Sequence, residues 1–312
     1  MADTRPILVT GAAGCIGSWV IARLLARGLR PVAFDVSQSR RRLYLALAKD
    51  EADAVPWETG DLTETETVTQ VVRRHEPQAI VHLAALQIPF CVADPVAGAR
   101  VNVVGTVNVF EAARHHGVER LVYASSVAAL APEGQHGPTT LYGVYKVADE
   151  GIARIYALDW GVASIGIRPH TVYGPGRDQG RTSAPTKAML AAAAGRLFAM
   201  PYTGRLRMQH VHEVADAFIA AALAEVEGAH VGDLEGVAAS IPEIVAEIRN
   251  QVPDADIPVP QNEVAFAIDQ SDAHLRGIIG DWPRVGLEDG VAMTIAAFRD
   301  LLARGLVEPQ SE

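Results

Sequence analysis

Tyr142 and Lys146 lie four residues apart, and their side-chain types are suited to moving a proton. On a helix, residues i and i+4 share a face, which makes the phenol and the ammonium neighbours. A phenol titrates near pH ~10 when unperturbed and needs a nearby cation to act as acid or base at neutral pH. Lys146 supplies that cation, and the chain has only two other lysines, Lys49 and Lys187. Just upstream, Arg120-Leu121-Val122-Tyr123-Ala124 reads as a strand that delivers Ser125 and Ser126 to its carboxyl end. By themselves two serines there are loop residues.

A second constellation is suited to phosphate. Thr10-Gly11-Ala12-Ala13-Gly14-Cys15-Ile16-Gly17 follows the apolar run Ile7-Leu8-Val9 and opens onto a helical pattern of Trp19, Val20, Leu24 and Leu25. Glycines at a helix start let backbone N–H groups face a phosphate at the positive end of the helix dipole. The spacing is G-x-x-G-x-x-G rather than G-x-G-x-x-G, so the motif alone fits a pyrophosphate cradle or a bare strand-to-helix turn. A second strand, Pro31 to Phe34, ends at Asp35, where an acid would accept both ribose hydroxyls of an adenosine. That favours the cradle, and it favours NAD, because a carboxylate repels the 2′-phosphate of NADP. Arg40, Arg41 and Arg42 follow and fit either a 2′-phosphate cradle or a solvated helix start, of which the solvated start is the expectation.

The elements that must position these groups alternate strand and helix as far as about residue 167. A third strand is expected over Ala54 to Trp57. Gly60-Asp61-Leu62-Thr63 then leads into a helix carrying Val68, Val71 and Val72, with Thr63 as its N-cap. A fourth strand, Ala79 to Leu83, stops at the small pair Ala84-Ala85. A helix from about Ala97 to His116 holds Asn102 as a buried, satisfied amide. A loop, Pro132 to Thr140 with Gly134 and Gly137, feeds the helix of Tyr142, and Ala163 to Ile167 is a sixth strand. Such alternation predicts an α/β fold of Rossmann type, a doubly wound parallel sheet over residues 1–168. Residues 169–312 are expected to form a smaller, mostly helical substrate lobe, with some elements interleaving back onto the sheet. Its helices are expected near Ala184–Ala194, Glu213–Ala224, Ile241–Asn250 and Leu287–Ala303.

Composition sets the outer bounds. The 312 residues are 49% hydrophobic and 21% charged, ordinary for a globular chain with a large core. A net charge of −10 disfavours nucleic acid and anionic membranes as partners. No apolar run is long enough to span a bilayer and Met1 to Pro6 lead straight into the first strand, so a cytoplasmic protein is expected. Cys15 and Cys91 are too few for a disulfide framework. His210-Val211-His212-Glu213 lacks further ligands at metal spacing, so no metal is expected.

Taken in order, these segments resemble the extended short-chain dehydrogenase/reductases called NAD-dependent epimerase/dehydratases. The resemblance covers nearly the whole chain. It rests on Thr10 to Gly17, Asp35, Gly60-Asp61-Leu62, His82 to Ala85, Asn102 to Thr106, Ser125-Ser126, Pro138 with Tyr142 to Lys146, Arg168-Pro169 and Val172 to Gly176. It implies NAD as cofactor, with Gly11, Gly14 and Gly17 on the pyrophosphate, Asp35 on the ribose, and Asp61 with Leu62 on the adenine. Cys15, Ile16, Leu83, Ala84, Ala85, Asn102 and Pro169 would line the rest of the groove. Lys146 would hold the nicotinamide ribose, Tyr142 would move the proton, and Ser126 would bond the substrate oxygen. A homodimer is implied through the helices bearing Asn102 and Tyr142, with Val109, Ile152 and Ile155 facing either the partner or the sheet.

Two departures bear on the substrate. Relatives acting on nucleotide-linked sugars usually carry Asn where this chain has Thr171, and Arg where it has Leu206, each contacting the diphosphate. A smaller, unlinked sugar or sugar acid is therefore expected, held by Gln87, Ser126, His170 and Thr171. The alternatives are a UDP- or dTDP-sugar epimerase or dehydratase and, from another class, a non-catalytic NAD-sensing regulator.

Overall fold

The computed structural model describes residues 5–132 and 135–308; Gly134 and Met1–Thr4 lie outside the described residues. Seven parallel strands form the main sheet: β1 (Ile7–Thr10), β2 (Pro31–Asp35), β3 (Trp57–Thr59), β4 (Ala79–His82), β5 (Arg120–Ala124), β6 (Ser164–Arg168) and β9 (Ala229–Asp233). Their order is β3-β2-β1-β4-β5-β6-β9, so the chain winds outward from β1 in both directions and reverses between β1 and β4. In such sheets the crevice at that reversal, at the carboxyl ends of the strands, is where ligands bind. The strands are nearly continuous apolar runs because helices cover both faces. On one face α1 (Cys15–Ala26) and α9 (Val211–Leu223) bury Val20, Leu24, Val214 and Phe218. On the other, α3 (Thr65–His75), α6 (Gly105–His116) and α7 (Leu141–Trp160) bury Val72, Phe110 and Tyr156.

A second sheet, β10 (Val237–Ser240), β8 (Arg205–His210) and β7 (Thr171–Tyr173), anchors the C-terminal lobe. It shares a core with α8 (Ala184–Ala193), α10 (Ile241–Gln251) and α12 (Leu287–Ala303), where Met189, Leu206, Ile244 and Phe298 meet. The lobe thus holds more strand than the helical pattern predicts. From beyond residue 168, β9 pairs with β6 and α9 packs on α1.

Four local expectations are corrected or refined. The third strand is Trp57–Thr59, fixed by the Ala33 to Trp57 register, whereas Lys49–Ala54 forms a short helix, α2. Asp50 and Glu51 sit in its first turn, where acids suit the helix dipole. The cap of α3 is Glu64, and Thr63 instead donates its N–H to the Asp61 carboxylate at 2.8 Å. The helix expected from about Ala97 to His116 is present but not regular: α5 (Pro95–Ala99) passes through a π-helical turn over 100–104 into α6, and a separate short helix, α4 (Ile88–Ala93), precedes it. Finally, of Arg40 to Arg42 only Arg41 is solvated, exposed and paired with Asp178 at 2.5 Å. Arg40 stacks on Trp57 and donates to Val55 O, while Arg42 donates to Ala13 O and Gly176 O.

Candidate active site

The glycine turn has no room for side chains. A Cβ on Gly11, whose φ is +69°, would lie 2.6 Å from Ala84 N, and one on Gly17 would lie 2.3 Å from Gly11 O. The turn is thus pressed between the end of β4 and the first turn of α1. Gly14 is the N-cap of α1 without a side-chain cap bond, and no acid sits in the first turn, so no acid of α1 itself competes with an anion there. Cys15 is the first helical residue; burial pushes its thiol up to about 11, keeping it protonated. Ile16 packs against the core beneath the turn.

At the end of β2, Asp35 accepts from Ala13 N at 3.0 Å and from Ser37 N at 2.9 Å, leaving lone pairs on both oxygens. Ala13, Gly14, Asp35, Ser37 and Arg42 line a cleft of about 240 Å³ there. A side-chain-free anion cradle beside a carboxylate with spare acceptor capacity fits the pyrophosphate and ribose of NAD. Leu62, on the loop after β3, is buried, and its carbonyl accepts from Asn108 Nδ2 at 2.7 Å. Asp61 lies beside it, exposed.

The floor of the groove is set by a buried chain of hydroxyls. Leu83 N donates to Thr10 Oγ1 (3.3 Å), Thr10 Oγ1 meets His82 Nδ1 (2.7 Å), His82 Nε2 meets Thr106 Oγ1 (3.1 Å), and Thr106 donates to Asn102 O (2.6 Å). Burial drives His82 down to about 3, so the ring is neutral; with the Thr106 proton spent on Asn102 O, its Nε2 is the donor. The chain ties β1, β4 and the π-helical turn together where Leu83, Ala84 and Ala85 leave the sheet. Asn102 spends its amide on Leu86, accepting from its N–H at 2.9 Å and donating to its carbonyl at 3.0 Å. Its part in the groove is to fix this backbone, as the buried-amide expectation has it.

The start of α7 and the turn after Ser126 are brought together by Gly143. A Cβ there would lie 2.1 Å from Ala128 O, so only glycine lets the start of α7 press onto the turn that follows Ser126. Thr140 caps the helix, accepting from Gly143 N at 3.0 Å. The turn itself is held by Ser126 Oγ, which accepts from Ala128 N (3.1 Å), and by Val127 N, which donates to Pro169 O (3.0 Å). One turn along α7, Lys146 Nζ lies 5.7 Å from the centre of the Tyr142 ring. Lys146 is buried, and Asp149 Oδ2 is 3.1 Å from its Nζ. Burial by itself lowers the Lys146 ammonium, but Asp149, with Tyr142 and Cys91, outweighs it and holds the ammonium above the usual lysine value.

Other residues that the sequence reasoning missed brace this helix. Glu150 accepts from Ser125 (2.5 Å) and from Arg168 Nε and Nη2 (2.7 and 2.6 Å), joining α7 to the ends of β5 and β6. Asp149 and Glu150 were detectable in principle, since Asp149 lies three residues after Lys146 and seven after Tyr142, on the same helical face.

The substrate candidates fall in two places. His170 is a wall: its Nε2 meets Ala267 O at 2.8 Å, its Nδ1 meets Thr171 Oγ1 at 2.9 Å, and burial lowers it to about 4. Thr171 is fully buried in β7, as is Leu206 in β8. Gln87, the N-cap of α4, reaches across the crevice, where its Oε1 accepts from Arg177 Nη1 at 3.3 Å. Arg177 also donates to Thr182, and its buried Nε has no partner among the described residues.

Comparison with known proteins agrees with this geometry. The model of the NAD dependent epimerase/dehydratase family matches residues 7–235. A UDP-glucose 4-epimerase from Mycolicibacterium smegmatis is 31% identical over 310 residues, covering 94% of this chain and 98% of that protein. The solved UDP-glucose 4-epimerase of Thermus thermophilus in complex with NAD aligns with a TM-score of 0.79 at 27% identity, over 94% of this chain and 99% of that one. An L-threonine dehydrogenase from Cupriavidus necator, in its holo form, gives 0.82 at 25% identity, over 93% and 99%. The extent of these matches, on a chain with this glycine turn, strand-end acid and Tyr/Lys helix, makes it a member of the NAD dependent epimerase/dehydratase family, and so an NAD-dependent enzyme.

Proposed function

We propose that the enzyme moves a hydrogen at a secondary alcohol or ketone of a small sugar acid or related hydroxy acid that carries no nucleotide. The observation that carries this reading is that Thr171 and Leu206, where nucleotide-sugar relatives place their diphosphate contacts, are both sealed in the core. The flanking arginines are committed elsewhere: Arg207 to Ile268 O at 2.7 Å, and Arg205 towards Glu243 at 3.8 Å. Arg177, by contrast, stands beside Gln87 with no ion pair among the described residues, suited to a substrate carboxylate.

In this reading the glycine turn holds the cofactor's pyrophosphate, Asp35 its adenosine ribose and Lys146 its nicotinamide ribose. Bound there, the nicotinamide supplies a two-electron acceptor or donor at one carbon. Oxidising a carbinol builds positive charge that is relieved only when the hydroxyl proton leaves. Tyr142 takes that proton, Ser126 holds the oxygen through the transfer, and Lys146 favours the phenolate by its charge. In reduction or epimerisation Tyr142 returns the proton to the same oxygen.

The test is a panel of free sugars, sugar acids, hydroxy acids and nucleotide sugars with NAD, followed by absorbance of reduced cofactor and by product stereochemistry. Turnover of an unlinked acid faster than any nucleotide sugar is expected, with Arg177→Ala raising KM for the acid. The reverse order restores the nucleotide-sugar epimerase. That second reading draws on a cavity of about 560 Å³ lined by Arg177, Arg181, Lys187 and Arg196, although Ser126, Tyr142 and Lys146 are not among its walls. No turnover of any compound, with NAD bound, would favour a regulator.

Cofactor choice is expected to favour NAD in calorimetry, because Asp35 faces the ribose cleft while Arg40 and Arg42 are tied to backbone carbonyls. Tighter binding of NADP would overturn the role given to Asp35.

A homodimer is expected through α7. Val144, Val147, Ile155 and Leu158, spaced by turns of the helix, form an exposed apolar stripe opposite the face that carries Lys146 and Asp149. Val92, Val96 and Val104 are exposed on α4, α5 and the π-helical turn nearby. Of the positions weighed from sequence, Ile155 belongs to this stripe, whereas Val109 is buried in the core and Ile152 packs against it. Light scattering at micromolar concentration should report twice the chain mass; a monomer there would remove the interface.

A further inference from the structure

We infer that Asp149 is a positioning residue for the Tyr142–Lys146 pair, a built-in counter-ion that fixes the Lys146 ammonium on the inner face of α7 and keeps it protonated in a place closed to water. The inference deepens the proposed function and rests on its assignment of Tyr142 and Lys146. Lys146 and Asp149 have side chains 2% and 1% exposed, 3.1 Å apart on adjacent turns of one helix. A buried ammonium without a partner gives up its proton, because burial penalises the charged form. Without Asp149, the Lys146 ammonium would lose its proton at a lower pH, weakening the charge it holds beside the phenol.

The remaining surroundings of Lys146 do not substitute for this carboxylate. Tyr142 precedes it on the same helix, Cys91 faces it from α4, and His82 faces it from the end of β4. His82 is neutral and Cys91 is a buried thiol raised above its ordinary value, so neither brings a standing negative charge. Glu150 lies close enough to act on Asp149 but is already claimed by Arg168 and Ser125. The Thr106 hydroxyl also faces Asp149 from α6, while its proton goes to Asn102 O. Asp149 Oδ1 has no hydrogen-bond partner among the described residues, so the carboxylate is held in place chiefly by Lys146. When the oxidised nicotinamide brings a second positive charge into the groove, the same carboxylate lets Lys146 remain charged beside it.

The chain's three lysines make the test direct. The NAD-bound protein labelled with ¹⁵N-lysine gives three Nζ signals, and Lys146→Arg assigns the one that matters. In the wild type the Lys146 Nζ is expected to keep its ammonium shift past pH ~10.4, the ordinary lysine value. In Asp149→Asn it should titrate at least about one unit lower, and the alkaline limb of kcat should move down with it. An Asp149 that only braced the fold would lower Tm and leave both titrations in place, which overturns the inference. Should Asp149→Asn fail to fold, the wild-type titration decides alone: a Lys146 that loses its proton below the ordinary value has no counter-ion. Wild-type activity in Tyr142→Phe would instead defeat the acid–base reading, while leaving the Nζ titration intact.

Discussion

Tyr142→Phe is expected to lower kcat about 10²- to 10⁴-fold while leaving NAD binding nearly unchanged, because it removes only the hydroxyl proposed to give and take the reacting proton. The ring stays, so the contact of Lys146 with its face and the packing of α7 on the Ser126 turn persist. Lys146→Ala should reduce both kcat and NAD affinity, since the proposed function has the ammonium serve ribose and phenolate alike. Isothermal titration with NAD and steady-state rates on the best substrate of the panel separate the two effects. A Tyr142→Phe enzyme with wild-type kcat would remove the proposed base.

Gly17→Ala is the second large effect, and it acts on binding. The new Cβ would sit 2.3 Å from Gly11 O, and neither atom belongs to a flexible side chain. The turn must open, moving the Gly11–Gly14 backbone off the position from which it meets a phosphate. Overpacking of this kind costs about 1–3 kcal/mol, which on binding corresponds to about a 5- to 150-fold loss of NAD affinity. Calorimetry should read that loss with the far-ultraviolet circular dichroism unchanged. Unaltered NAD affinity would show that the turn does not carry the pyrophosphate.

Where local pattern and tertiary structure agree, the sequence was sufficient. The glycine turn, Asp35 at the end of β2 and the four-residue step from Tyr142 to Lys146 are all set within one strand, turn or helix. The parallel sheet followed from apolar runs alternating with amphipathic helices. Contacts distant in sequence were less legible. Arg42 reads as a surface charge until the loop at Gly176 folds back to meet it, a contact spanning 134 positions. In the second sheet β7 and β10 are only three and four residues long, and the longer β8 alternates Arg205, Arg207 and Gln209 with its buried residues, so none shows the apolar run that marks the main sheet. Leu206 illustrates the difference: its missing arginine is visible in the sequence, but its burial opposite Ala239 of β10, in the core of the lobe, is a property of pairing and packing. The residues bracing the active helix, Glu150 and Arg168, are ordinary charges on paper and become a clamp only when β6 lies next to β5.

The two faces of α7 have a kinetic consequence. The face towards the sheet carries Tyr142, Lys146 and Asp149, and the opposite face carries the exposed stripe from Val144 to Leu158. In the proposed dimer a partner covering the outer stripe would also steady the groups on the inside of the helix, so turnover is expected to follow association. Specific activity should then depend on protein concentration: high in a concentrated stock, falling over time after dilution into an assay, and recovering on reconcentration. The time course of that decay would measure the lifetime of the dimer without any spectroscopic label.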